Sequence, residues 1–194
     1  MKAISPKVLI PYHFGETDIQ AIKDGLEGTG IKVILHNKIM EATNKFMQIA
    51  IDEASYGIHS GHGGPFGSVI VKDGKIIGRG HNRVVANNDP TCHGEIAAIR
   101  DACANIDSFD LSGCEIYTTG EPCHMCLCAC MWANISKIYY GCTISDNEEI
   151  GFRDEKFDKV FGGREKLEDY LVCIDREACL ELFKEYLNIS HTQY

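Results

Sequence analysis

Two short stretches constrain this chain more than any other part of it: Cys92-His93-Gly94-Glu95 and Pro122-Cys123-His124-Met125-Cys126. Cys123 and Cys126 stand three apart at a predicted helix start, so their side chains share one face. The positive end of that helix favours thiolates, and so does zinc. His93, also near a predicted helix start, adds one imidazole, and three protein ligands leave the fourth tetrahedral position of a zinc ion to water. Zinc lowers the pKa of such a water to about 7, which leaves protons to be moved. Glu95 suits that task, since a carboxylate beside the water can take up the proton released on attack. The same residues also allow a closed four-ligand site or a group of buried thiols, in which Glu95 would have no use.

Cys128 and Cys130 extend the run of thiols. Cys130 lies i+4 from Cys126 and i+7 from Cys123, continuing the inward stripe, and an iron–sulfur cluster would call for loop geometry. Both are expected as core packing. His124 is expected on a solvated helix face, and His59, His62 and His81 as ordinary loop or strand histidines.

The surrounding sequence alternates helix and strand, as in an α/β domain. A helical spacing of apolar residues runs from Ile39 to Tyr56, with Gly57 as its stop. Strands over 67–71 and 75–80 flank Asp73-Gly74, a tight hairpin turn. Asn88-Asp89-Pro90-Thr91 opens a helix over 92–104, 114–119 is a strand, Glu121-Pro122 opens a helix over 123–133, and 137–142 is a strand. Residues 146–163 are charged and Gly-punctuated; 170–174 reads as a fifth strand and 176–187 as an amphipathic helix. Residues 1–38 form a separate extension, with strand, helix and strand at 7–13, 18–28 and 31–37 and no chemistry attached. Residues 39–194 are the expected catalytic domain.

Nineteen basic against 28 acidic residues give a net charge of −9 and no local basic run, which disfavours polymeric nucleic acid as a partner. No signal-like or membrane-spanning apolar stretch is present. Ten cysteines in a chain of this size fit thiols in a reducing cytoplasm, some on metal, better than disulfides.

His-x-Glu followed by Pro-Cys-x-x-Cys resembles the signature of zinc deaminases acting on nucleobases. With GGPFGSVIVKDG, NDPTCHGE, AAIRDAC, YTTGEPCHMC, WANISKIYY and EIGFRDE, the stretch from about Phe46 to Asp154 resembles the cytidine deaminase-like superfamily, and within it the short bacterial guanine deaminases. The resemblance implies a three-layer α/β/α sandwich around a five-stranded mixed sheet, with zinc at the N-terminal ends of two neighbouring helices. It implies one Zn2+ held by His93, Cys123 and Cys126, with Glu95 as proton shuttle to a ring nitrogen and the leaving amine. It further implies Phe66 as the aromatic on the base, Asn82 as the amide at the base edge and Asp154 as a second catalytic carboxylate. Tyr194 matches an aromatic on a tail that crosses to a partner in a homodimer.

From the residues alone, Phe66 also fits a plug below the hairpin, Asn82 a turn cap, Asp154 a solvated acid and Tyr194 an unanchored terminus. The reaction implied is hydrolysis of an exocyclic amine on a free nucleobase, guanine to xanthine and ammonia. Cytosine and transfer-RNA adenosine are the competing substrates. His-Gly-Glu departs from the His-Ala-Glu usual in guanine deaminases, and residues 1–38 have no counterpart there. Gly inside a helix costs roughly 0.5–1 kcal/mol relative to Ala, so Gly94 calls for a spatial reason.

Overall fold

The computed structural model describes residues 42–161 and 170–190, with the short segments 8–9 and 32–33. The chain divides into two compact units, Met1–Ile39 and Met40–Tyr194. In the first, β1 (Val8–Leu9) and β2 (Lys32–Val33) pair in parallel. A parallel pair needs a crossover connection rather than a tight turn. The helix expected at 18–28 lies outside the described residues.

In the second unit, α1 (Lys45–His59) begins where the Asn44 side chain accepts hydrogen bonds from the amides of Phe46 and Met47. It passes Gly57, the expected stop, and ends at His59, with Ser60 as its C-cap and Gly57 buried against the His81 ring. The hairpin of β3 (Gly67–Lys72) and β4 (Lys75–His81) turns at Asp73 and Gly74, both at positive φ, 49° and 71°. A short α2 (Val84–Asn87) that the pattern did not announce precedes α3 (Gly94–Ile106). Next come β5 (Cys114–Gly120), α4 (His124–Trp132) and β6 (Lys137–Cys142). The charged stretch resolves into α5 (Ile144–Glu149) and α6 (Asp154–Phe161), and the chain continues through β7 (Leu171–Cys173) and α7 (Arg176–Asn188).

The five strands lie in the order β4-β3-β5-β6-β7, with β3 antiparallel to both neighbours and β5, β6 and β7 parallel. Alternation along each strand sends neighbouring residues to opposite faces. Val69, Val71 and Tyr117 meet α1 and α7 through Met47, Ile51, Leu182 and Phe183. Ile70, Ile116 and Ile138 meet α3 and α4 through Ala98, Ala102, Leu127 and Cys130. This is the expected α/β/α sandwich around a five-stranded mixed sheet. Among the described residues no helix is long and apolar enough to cross a membrane.

Register brings two connections to one place. Ser68 lies opposite Thr118, so the approach to β3 runs beside the end of β5. Thr119 fastens them: its hydroxyl donates to the Pro65 carbonyl (2.9 Å) and accepts from the Gly67 amide (3.1 Å).

Candidate metal centre

His93 and Cys123 occupy the N-cap positions of α3 and α4, each with extended backbone. A capping side chain there would turn back onto the helix amides, but neither residue makes such a bond. Cys123 Sγ lies 3.7 Å from His93 Nδ1, and Cys126 sits buried one turn into α4. One ligand atom from each of His93, Cys123 and Cys126 falls within 4.8 Å of the others. An imidazole nitrogen and two sulfurs at helix N-termini form a donor set that suits zinc, with room for a fourth ligand.

The electrostatics of the site are those of a thiolate. A hydrogen bond from Cys126 is the largest influence on Cys123; burial opposes it, His93 adds to it, and the thiol is held down to about 4. Burial alone would lower His93, but the hydrogen bond to Cys123 and the charges of Glu95, Cys123 and Asp154 raise it to about 9. The hydrogen bond to Cys123, then burial, push Cys126 well up.

Glu95, on the first turn of α3, is 5% exposed. Burial first, then the Cys123 charge, push its carboxyl up to about 7. Asp154 opens α6 and is half-buried, its Oδ2 accepting from Asn147 Nδ2 at 3.1 Å. Its charge is the smallest of those that raise His93.

Gly94 has its spatial reason here. A Cβ on it would lie 2.8 Å from the Phe66 carbonyl oxygen and 3.4 Å from Ser68 Oγ. The bare glycine lets the strand approach come down onto the first turn of α3, between a donor and the buried carboxylate.

Phe66 itself is half-buried, its ring edge-to-face with Phe152 (4.7 Å) and Phe183 (5.7 Å). It joins the core over α1 and α7 while its backbone borders the donor group. Asn82 is 1% exposed; its backbone N–H donates to the Phe66 carbonyl at 2.7 Å, and its side-chain Oδ1 accepts from the backbone amides of Gly64 (3.4 Å) and Val84 (3.2 Å). The two residues thus hold each other, and Asn82 also fixes the loop before Phe66. Tyr194 lies outside the described residues.

The structure corrects two smaller expectations. Cys130 is buried as core, but Cys128 is exposed, because successive positions on a helix turn by about 100° and only the stripe through Cys126 and Cys130 faces inward. His124 is half-buried rather than solvated, its ring 4.9 Å from that of Phe161. His59, His62 and His81 stand apart from the donor group: His62 and His81 stack at 5.1 Å beside Tyr56, and His59 pairs with Glu185 at 3.2 Å. Two further residues lie close to Phe66 and Asp154: Gly120, at the end of β5 within the stretch YTTGEPCHMC but not singled out there, and Asn147, buried on α5 and announced by no motif.

The model of the cytidine and deoxycytidylate deaminase zinc-binding region matches residues 40–142. Guanine deaminase of Bacillus subtilis (strain 168) is 47% identical over 109 residues, 56% of this chain and 70% of that protein. The tRNA-specific adenosine deaminase of Aquifex aeolicus (strain VF5) is 41% identical over 95 residues, 49% of this chain and 62% of the relative. The solved structure of guanine deaminase from Nitrosomonas europaea superposes with a TM-score of 0.66 at 27% identity, covering 79% of this chain and 89% of that one. The family match takes in His93, Glu95, Cys123 and Cys126 and spans more than half of the sequence, so the chain belongs to the cytidine and deoxycytidylate deaminase family of zinc-dependent hydrolases.

Proposed function

We propose that the protein hydrolyses the exocyclic amine of free guanine, giving xanthine and ammonia. The observation that carries the reaction is the buried Glu95 carboxyl beside a His, Cys, Cys donor group, and the guanine deaminase relatives support the substrate. His93, Cys123 and Cys126 would hold the zinc. When bound, the metal supplies a polarised water near neutral pH. Glu95 takes up the proton released as water attacks C2 and delivers it to the ring nitrogen; it then carries the proton of the new C2 hydroxyl to the amine, which leaves as ammonia as the C–N bond breaks and the C2 carbonyl forms. Burial keeps Glu95 able to hold and release that proton. Asp154 meets the departing amine from the other side. Phe66 offers a flat apolar wall to the base, and Asn82, tied to the Phe66 backbone, contributes at the base edge.

A panel of guanine, cytosine, adenine, other aminopurines and a transfer-RNA stem-loop, scored by ammonia release, tests this reading. Release from guanine is expected; release only from cytosine, or only from the stem-loop, overturns the substrate. The net charge of −9 opposes phosphate contacts, which favours the free base over the stem-loop. Glu95→Gln is expected to lose about 10²–10⁴-fold in rate with zinc retained. A variant near wild-type rate removes the proton role.

The same reading takes residues 1–38 as an extension of separate role and 39–194 as the deaminase domain, supported by the division near Ile39. It places the protein in the cytoplasm, which the ten free thiols support. It also makes the protein a homodimer whose tail carries Tyr194 to the partner's site. The apolar outer side of α4, with Met125, Met131 and Trp132 exposed, supports a dimer.

A further inference from the structure

Asn147 is 1% exposed on α5. Its Nδ2 donates to Asp154 Oδ2 at 3.1 Å and to the Glu121 carbonyl at 3.4 Å. Both partners can only accept, so the amide cannot be turned round, and its oxygen must face the other way. There it meets Gly120: a Cβ on that glycine would lie 3.0 Å from Asn147 Oδ1 and 3.0 Å from two ring carbons of Phe66. Oδ1 is buried and accepts no hydrogen bond among the described residues.

An acceptor buried without a donor destabilises a fold, and an apolar side chain of the same shape would remove that cost. Leu at this position would remove the orphaned oxygen, but it would also take the Nδ2 donor away from the Glu121 carbonyl and Asp154 Oδ2. What Leu could not do is hold a carboxylate.

The rest of α5 is built to keep Asn147 still. Thr143 and Asp146 form a reciprocal cap at its start, and the Arg176 guanidinium grips both Asp146 oxygens from α7. Glu121 Oε2 accepts the Ile144 amide at 3.1 Å, and the Asn147 carbonyl accepts the Phe152 amide at 3.1 Å. Asn147 thus grips the segment that carries Asp154 by its backbone and the carboxylate by its side chain.

We propose that Asn147 is a positioning residue for the deamination: its Nδ2 pins one oxygen of Asp154, so that the carboxylate presents a fixed face to the departing amine. This rests on the reading of Asp154 as the second carboxylate of the site. The orphaned oxygen is the stability given up for that arrangement.

Asn147→Leu, Asp154→Ala and the double variant, each as zinc-loaded full chain with guanine, test it through kcat, KM and zinc content. Asn147→Leu is expected to lower kcat about 10–100-fold with little change in KM and zinc still at one per chain. The double variant is expected to be no slower than Asp154→Ala alone, because a residue acting through Asp154 has nothing to act on once it is gone. A merely structural Asn147 would instead slow the double variant below Asp154→Ala alone. Wild-type kcat in Asn147→Leu, or a loss that multiplies on top of Asp154→Ala, overturns the proposal. If Asp154→Ala itself keeps the wild-type rate, the underlying reading of Asp154 falls and takes this one with it. Should the Leu variant not fold, Asn147→Ala adds no bulk and is judged by the same outcomes.

Discussion

A missing methyl group decides how Phe66 meets the donor group. Gly94→Ala puts a Cβ 2.8 Å from a backbone oxygen that is itself held by the Asn82 amide, so the carbonyl cannot swing aside. We expect a loss of about 1–3 kcal/mol, read by urea unfolding, with activity falling while His93 still binds zinc. An unchanged midpoint would mean that α3 shifts freely against β3. At this scale the sequence was legible where chemistry is local: His93, Glu95, Cys123 and Cys126 follow from spacing at two helix starts. Asn147 was not, since a single amide in a charged stretch carries no signal until folding brings Gly120, Asp154 and Phe66 around it. Cys128 misled for a related reason, because α4 is apolar on nearly all sides and its inner face cannot be told from composition.

α7 is fastened by polar contacts near both ends, and two of them titrate with opposite signs. Asp175, just before it, accepts from the Thr43 amide and hydroxyl and from the Asn44 amide, where α1 begins. Burial would raise Asp146, but Arg176 and the Thr143 amide and hydroxyl outweigh it and lower the carboxyl below 3.8. A native pKa below the unfolded one gives stability that is complete above pH 3.8 and lost as pH falls through the lowered value. Arg176→Met should therefore lower the urea midpoint at pH 7, with a difference that narrows below pH 3.8. At the other end, burial would lower His59, but Glu185 and the Ser55 carbonyl raise it above 6.5. That stabilisation is complete below pH 6.5 and lost as pH climbs through the raised value. His59→Gln should cost stability at pH 6 and little at pH 10; an equal loss at both would mean the ring acts through packing alone. The strands and the hairpin were legible because alternation and Asp-Gly specify them. α5 was not, since its helical signal lies in a reciprocal cap rather than in an apolar stripe.

On the scale of the whole molecule, Trp132 is 86% exposed at the end of α4, with Met131 beside it. For the proposed homodimer, Trp132→Glu is expected to give monomer by light scattering at micromolar concentration; a dimer unaffected by the charge would place the interface elsewhere, and a wild-type monomer would overturn the homodimer. The layer order was readable from alternating helix and strand, whereas the side of the sheet each helix covers emerged only from register. Cys123 and Cys126 remain neighbours even in an unfolded chain, while His93, thirty residues away, reaches them only when α3 and α4 dock on one face of the sheet. Affinity for zinc is thus divided between a pair available before folding and a ligand delivered by it. A denatured chain should keep a weak, two-sulfur hold on the metal, and the imidazole should join late in refolding, a step that the visible ligand-field bands of a cobalt-substituted sample would time.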